Sequence, residues 1–153
     1  MTKAKKIQLI FTLLTAGFAL FIFSNSLQPA TISGAKSGSI VTLLNNALAS
    51  VGIKLTISDH LVRKTGHFTE YFALGVLLLA TLKTYTPRLI KNIFAPLFCG
   101  LAVAVTDESI QLFVDGRSGQ VSDVVLDFCG VLTGLLVLGL LLKLHMHKIK
   151  TKI

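Results

Sequence analysis

Four long apolar blocks, at 7–23, 66–82, 90–106 and 124–142, constrain this chain more than any other feature. A bilayer core of about 30 Å is crossed by roughly 17–25 helical residues, so each block is long enough to span if its polar end residues lie near the interface. The blocks lack the short periodic stripes of a soluble surface helix. Composition agrees, with 52% hydrophobic residues, 14% charged residues and a mean hydropathy of +0.74, where ordinary soluble domains carry about 25% charge. The expected fold class is all-α integral membrane: four transmembrane helices plus a short extracytoplasmic amphipathic helix, in a single membrane domain over 1–153.

The first block follows Lys3, Lys5 and Lys6, as a signal peptide would. Its exit reads Ser24-Asn25-Ser26-Leu27-Gln28-Pro29, without a small-x-small cleavage site, and the run is longer than an h-region of about 7–15 residues. It reads as an uncleaved anchor. With both termini cytoplasmic, Lys3, Lys5, Lys6, Lys83, Arg88, Lys91, Lys143, Lys148, Lys150 and Lys152 lie inside, while Lys36, Lys54, Arg63, Lys64 and Arg117 lie outside. The ten-to-five bias favours this orientation. All the acidic residues then fall at or near the outer side. The net charge of +8 is therefore a topology signal, and no basic patch interleaved with stacking aromatics points to nucleic acid.

Between the first two blocks, 24–62 begins rich in Ser, Gly, Ala and Thr. Within it Ile40, Leu44, Ala47, Leu48 and Val51 recur at helical spacing, which predicts a short amphipathic helix on the outer leaflet or capping the bundle.

The chemistry gathers at the outer ends of the last three blocks. Arg63, His67, Glu70 and Leu74 follow i, i+4, i+7, i+11 spacing and form one stripe. A charge facing lipid costs roughly 2.5–3.5 kcal/mol at mid-bilayer, so Glu70 should face the bundle or water. Glu108 and Gln111 share a face at i, i+3 and read as the inward pair, with Asp107 turned roughly 100° away. Asp115-Gly116 and Ser118-Gly119 are turn formers that present Arg117 on a tight loop. Ser122 or Asp123 can cap the last helix, and Asp127 follows by one turn. Gly130 and Gly134 share the Asp127 face with small-x-x-x-small spacing, which lets a neighbouring helix approach and permits a homo-oligomer. Cys99 and Cys129 read as small packing residues, with no disulfide.

Arg63-Lys64-x-x-His67-x-x-Glu70-Tyr71, and Glu108-x-x-Gln111-x-Phe113 followed by Arg117, Asp123, Asp127 and Gly130, resemble the VanZ-like family of bacterial membrane proteins in order and spacing. The four-block plan extends the likeness over nearly the whole chain. Cys129 stands where the resemblance leads one to expect a more polar neighbour of the glycine. The resemblance implies a bacterial inner (cytoplasmic) membrane protein of a family named for low-level teicoplanin resistance. It supplies no reaction.

The functional expectation is an outward-facing site for an anionic cell-envelope component, a membrane lipid or a lipid-linked cell-wall precursor. Arg63 and Arg117 would be anion ligands through their planar forks. His67, Glu70 and Glu108 would handle protons, with Gln111, Asp123 and Asp127 completing the ligand site and the two aspartates orienting Arg117 or its loop. The structural alternative is that Arg63 and Arg117 neutralise buried carboxylates, and that His67 merely satisfies a helix end. No cofactor or metal is assigned, since one histidine and no cysteine join the cluster; an all-oxygen Mg²⁺ or Ca²⁺ site from Glu70, Glu108, Asp123 and Asp127 is the open variant. The sequence holds no nucleophile signature, so an envelope-binding or scaffolding factor that docks a partner through 43–48 is the alternative to an enzyme. A proton-coupled transporter would need oligomerisation to form a pathway.

Overall fold

The computed structural model describes residues 1–150, with the side chains of 149 and 150 outside the description. Five α-helices follow in order: α1 (Lys3–Ser26), α2 (Ala30–Ser50), α3 (Asp59–Tyr85), α4 (Phe94–Gln111) and α5 (Val121–Lys150). A 3₁₀ turn at Ile90–Asn92 precedes α4, and there is no strand among the described residues. Lys152 of the expected basic tail lies outside the described residues.

Local signals set the helix ends. Ser58 caps α3 by accepting from the Leu61 amide at 3.3 Å, and Asp59 stands in its first turn, where a negative charge meets the positive end of the helix dipole. Gly52, at φ +79°, closes α2 in the left-handed conformation that glycine adopts without a Cβ penalty. The Ile53 amide then reaches back to the Leu48 carbonyl at 3.0 Å. Asn45 staples the following loop by accepting from the Ile57 amide at 2.8 Å and donating to its carbonyl at 3.2 Å.

Several boundaries differ from the sequence reading. The third block starts in the 3₁₀ turn, and its helix runs on to Gln111, carrying Asp107 and Glu108 in its last turns. α2 is 21 residues long rather than a short segment, because the Ser and Gly residues after Pro29 are helical too. α5 opens at Val121, with the Gln120 carbonyl accepting from the Asp123 and Val124 amides. Ser122 and Asp123 are therefore inside the first turn and do not cap it. By length and composition, α1 and α5 are long and apolar enough to cross a membrane. α3 carries Asp59, Arg63, Lys64 and Glu70 in its first half, and α4 spans only 18 residues with two carboxylates.

α3 and α5 run parallel in backbone contact. A Cβ on Gly130 would stand 2.7 Å from the Phe68 carbonyl oxygen; on Gly134 it would strike the Phe72 oxygen, and on Gly75 the Val131 oxygen. The close approach expected of Gly130 and Gly134 is thus made by a helix of the same chain. α1 runs antiparallel to α3: Gln8 donates to the Thr84 carbonyl at 3.0 Å, Thr15 meets Thr81 at 2.7 Å, and Asn25 reaches Glu70 at 2.8 Å. The buried core of Ile22, Tyr71, Leu74, Leu79, Ala104, Val131 and Leu135 sits between these helices. Outside it, Leu13, Leu20, Phe98, Leu136, Leu140 and many other large apolar side chains are exposed, the pattern of an exterior that meets lipid. Cys99 and Cys129 are free, as expected, but they point outward and do not pack.

Candidate functional site

The end of α1, the start of α3, the end of α4 and the start of α5 meet at one end of the bundle, and the polar residues of four segments converge there. Their inner layer joins α3, α4 and α5. Asp107 and Asp127 are each 0% exposed, and Glu108 and Gln111 are buried. His67 Nδ1 lies 3.6 Å from Asp127 Oδ1, beyond hydrogen-bond length. Gln111 donates to Glu108 Oε1 at 2.8 Å and to Asp107 Oδ2 at 3.4 Å. The second oxygen of Glu108 accepts from the Gln120 amide at 2.9 Å and so ties the α4–α5 loop to α4. His67, Asp107, Glu108 and Asp127 each bring one donor atom to within 4.8 Å of the others, a set that could hold a metal ion.

The outer layer is a cavity of about 210 Å³ bounded by Arg63, His67, Glu70, Arg117, Asn25 and Lys36, among others. Arg117 is held there by backbone: its Nε donates to the Gln28 carbonyl at 3.1 Å and a terminal nitrogen to that of Asn25 at 3.4 Å. The same corner is locked from the other side, where the Ala30 amide donates to the Asp115 carbonyl at 3.1 Å. Partial burial, and then the nearby Arg63 charge, pull the Arg117 guanidinium below its usual pKa. It stays charged at neutral pH, and an anion between the two arginines would relieve their repulsion. Arg63 pairs with no carboxylate among the described residues.

A second cavity, of about 140 Å³, lies on the other side of Arg63 and His67 and is walled by His60, Lys64, Gln111 and Asp123. An open, largely apolar groove of about 700 Å³ between α1, α2 and α3 adjoins the first cavity, sharing Ile40, Val62, Gly66 and Glu70 with it.

All eight residues singled out in the sequence stand at this end, but in different surroundings. Arg63, His67, Glu70 and Arg117 line one cavity, and Gln111 and Asp123 line the other with Arg63 and His67. Glu108 and Asp127 are buried behind them. Neither aspartate touches the Arg117 side chain: Asp123 pairs with Lys64 at 3.1 Å, and Asp127 faces His67. Neither arginine forms an ion pair with a carboxylate among the described residues, although Arg117 lies within the electrostatic reach of Asp107, Glu108 and Glu70. Of the all-oxygen metal set, Glu108 and Asp127 stand together in the buried layer, while Glu70 accepts from Asn25 and Asp123 is paired with Lys64.

Asp107 is the main omission. Helical spacing turns it away from Glu108 and Gln111, but α4 packs on α1 as well as on α5, so two adjacent faces of its last turn are enclosed. Asn25 and Gln28 were read only for a cleavage site, and no periodicity marks their role. His60 could have been found, since it lies three and seven residues before Arg63 and His67 on the same helix.

The VanZ/LLP1 family model matches residues 10–142 of the chain. No curated protein and no solved structure matches it.

Proposed function

The chain belongs to the VanZ/LLP1 family, which is linked to teicoplanin resistance, and from that premise we propose that it is a four-span inner-membrane protein that binds the anionic headgroup of an envelope lipid or lipid-linked precursor at its outer face. One observation carries this reading. A cavity holding Arg63 and Arg117 opens onto an apolar groove through a shared wall. That juxtaposition suits an amphiphile, with phosphate or carboxylate at the guanidinium groups and an acyl or prenyl chain along Phe18, Leu44 and Leu61. Arg117, pre-aimed by two carbonyls, binds without having to be ordered first.

The parallel run of α3 and α5, antiparallel to α1, supports four crossings with the polar ends together. The charges of α3 and α4 then sit at the interface and the bundle centre, where they are tolerated. In a cysteine-free background, Ser118→Cys should label in whole cells with an impermeant thiol reagent, while Thr86→Cys should be protected. The reverse pattern would invert the topology and move the site to the cytoplasmic face.

Purified protein in nanodiscs, titrated with a polyprenyl phosphate, phosphatidylglycerol or phosphatidylcholine, tests the ligand class. The anionic lipids should bind at least about 10-fold more tightly than the zwitterionic one, as one lost charge-assisted contact implies. Mass spectrometry of the recovered lipid separates binding from turnover. Equal affinity for all three lipids would sink the proposal.

A further inference from the structure

We propose that His67, Asp107, Glu108 and Asp127 form a binding site for one divalent cation of the class that mixed imidazole and carboxylate donors favour, Zn²⁺ or Mn²⁺ over Mg²⁺ or Ca²⁺. The site lies behind the headgroup cavity and does not depend on it. A cation can bind here whether or not the arginines hold a lipid.

Geometry is the first support. Four donor atoms from three helices lie within 4.8 Å of one another. Ligands at about 2.0–2.2 Å around a tetrahedral Zn²⁺ ion stand about 3.3–3.6 Å apart. Closing the set takes a contraction of up to about 1.5 Å in the longest separation, a distance that rotation of the long His67 and Glu108 side chains covers.

Unsatisfied atoms are the second and independent support. Asp127 is 0% exposed and meets only His67 Nδ1, at 3.6 Å and beyond hydrogen-bond length; Asp107, also 0% exposed, leaves Oδ1 without a hydrogen-bond partner, and the buried Tyr71 hydroxyl lacks one too. Buried polar atoms in folded proteins are nearly always paired, and a carboxylate with two idle oxygens is a strong exception. Three of the four residues whose donors converge, His67, Asp107 and Asp127, carry such atoms.

Charge points the same way. No lysine or arginine pairs with Asp107, Glu108 or Asp127 among the described residues; Lys64 is engaged by Asp123, and Arg117 by two carbonyls. Three carboxylates so close together, buried near a bilayer, demand either protons or a cation. Imidazole chooses a borderline cation over a hard one. The surroundings are those of a metal ligand set: Gln111 bridges Asp107 and Glu108, and the Gln120 amide fixes the other Glu108 oxygen, the kind of outer support that orients ligands. His67 lines both cavities, so an ion bound to it stands at their common wall.

The test uses the full-length protein in detergent, stripped with EDTA and equilibrated with Zn²⁺, Mn²⁺, Mg²⁺ or Ca²⁺, each alone. Elemental analysis should find about one Zn²⁺ or Mn²⁺ per chain, and the melting temperature should rise with that ion. Asp127→Asn and His67→Gln should each lower the affinity at least about 10-fold, as losing a ligand or its support does, while Arg117→Lys keeps the ion. Should a variant fail to fold, the zinc-edge absorption spectrum of the wild-type protein decides, with one imidazole and otherwise oxygen donors expected. Uptake below about 0.1 ion per chain from all four salts, undiminished uptake by folded Asp127→Asn, or a spectrum with sulfur or several imidazoles would overturn the site. Lipid titration of the EDTA-stripped protein reads the headgroup proposal separately.

Discussion

α3 presents two unlike sides to its neighbours. Toward α5 the seam is shut by glycine: Gly75, Gly130 and Gly134 bring the backbones into contact, and beyond them Asp127 is walled by protein while its partner His67 reaches the cavities. Toward α1 and α2 the helices touch through threonine, glutamine and asparagine side chains, and the space between them opens into a polar cavity and an apolar groove. In lipid there is little hydrophobic drive between helices, so close packing of small residues holds one side firmly while sparse hydrogen bonds hold the other lightly. The sealed side fixes where the charges stand. The lightly held side is free to admit a ligand.

The largest effect expected from this contrast falls at the glycine seam. In Gly134→Ala the new methyl group meets the Phe72 carbonyl, a backbone atom that cannot turn aside. α5 must shift, at a loss of about 1–3 kcal/mol as in other overpacked cores. The protein recovered from membranes and its unfolding temperature in detergent should both fall. If Gly134→Ala is as stable as wild type, the two sides of α3 do not differ in the way described.

Next in size is the headgroup contact on the open side. Arg117→Lys keeps the charge but gives up the planar fork and at least one of its two carbonyl bonds. Loss of about 1.5–3 kcal/mol of charge-assisted bonding implies roughly 10-fold to 100-fold weaker binding of polyprenyl phosphate at unchanged protein amount. Weakening that tracks lost protein would make Arg117 a clamp for the α1–α2 corner only.

Gly66 gives a smaller effect of opposite sign. It sits in α3 but faces the cavity and groove, and a Cβ there meets nothing within 4 Å. Gly66→Ala should raise stability by about 0.5–1 kcal/mol through helix propensity alone. An unfolding midpoint at or below that of wild type would show that another element fills this space.

How far these two sides were legible in the sequence follows from what each depends on. Long apolar blocks mark α1 and α5 directly, and the i, i+4 stripe of Arg63 and His67 holds wherever α3 packs. The small-residue spacing of Gly130 and Gly134 correctly announced a close helix. It could not say which helix, since spacing describes one surface and a contact needs two. Asp107 escapes the spacing for a related reason: spacing gives α4 a single inward face, whereas contact with both α1 and α5 encloses two. Asn25 and Gln28 take their roles from the sharp α1–α2 corner meeting the Arg117 loop, a tertiary meeting that leaves no local pattern. The charges in α3 and α4 also dilute their hydropathy, so by length and composition only α1 and α5 stand out among the described residues.

The smallest effect separates the polar seam of α1 from the glycine seam of α5. Thr15 Oγ1 and Thr81 Oγ1 stand 2.7 Å apart, and each hydroxyl also reaches a helix carbonyl, that of Phe11 at 2.9 Å from Thr15 and at 3.2 Å from Thr81. A hydroxyl that loses its cross-helix partner can still bond to a carbonyl, so little is left unsatisfied. Thr15→Val, Thr81→Val and the double variant should therefore give a coupling energy near about 0.6 kcal/mol, the average for interhelical bonds of this kind in membranes. The double-mutant cycle isolates that value from the packing change that valine brings. A coupling of about 2 kcal/mol or more, beyond the range such bonds reach, would mean that α1 is locked to α3 as firmly as α5 is. The groove beside it would then be a fixed feature of the fold, and a lipid chain would have to fit it as it stands.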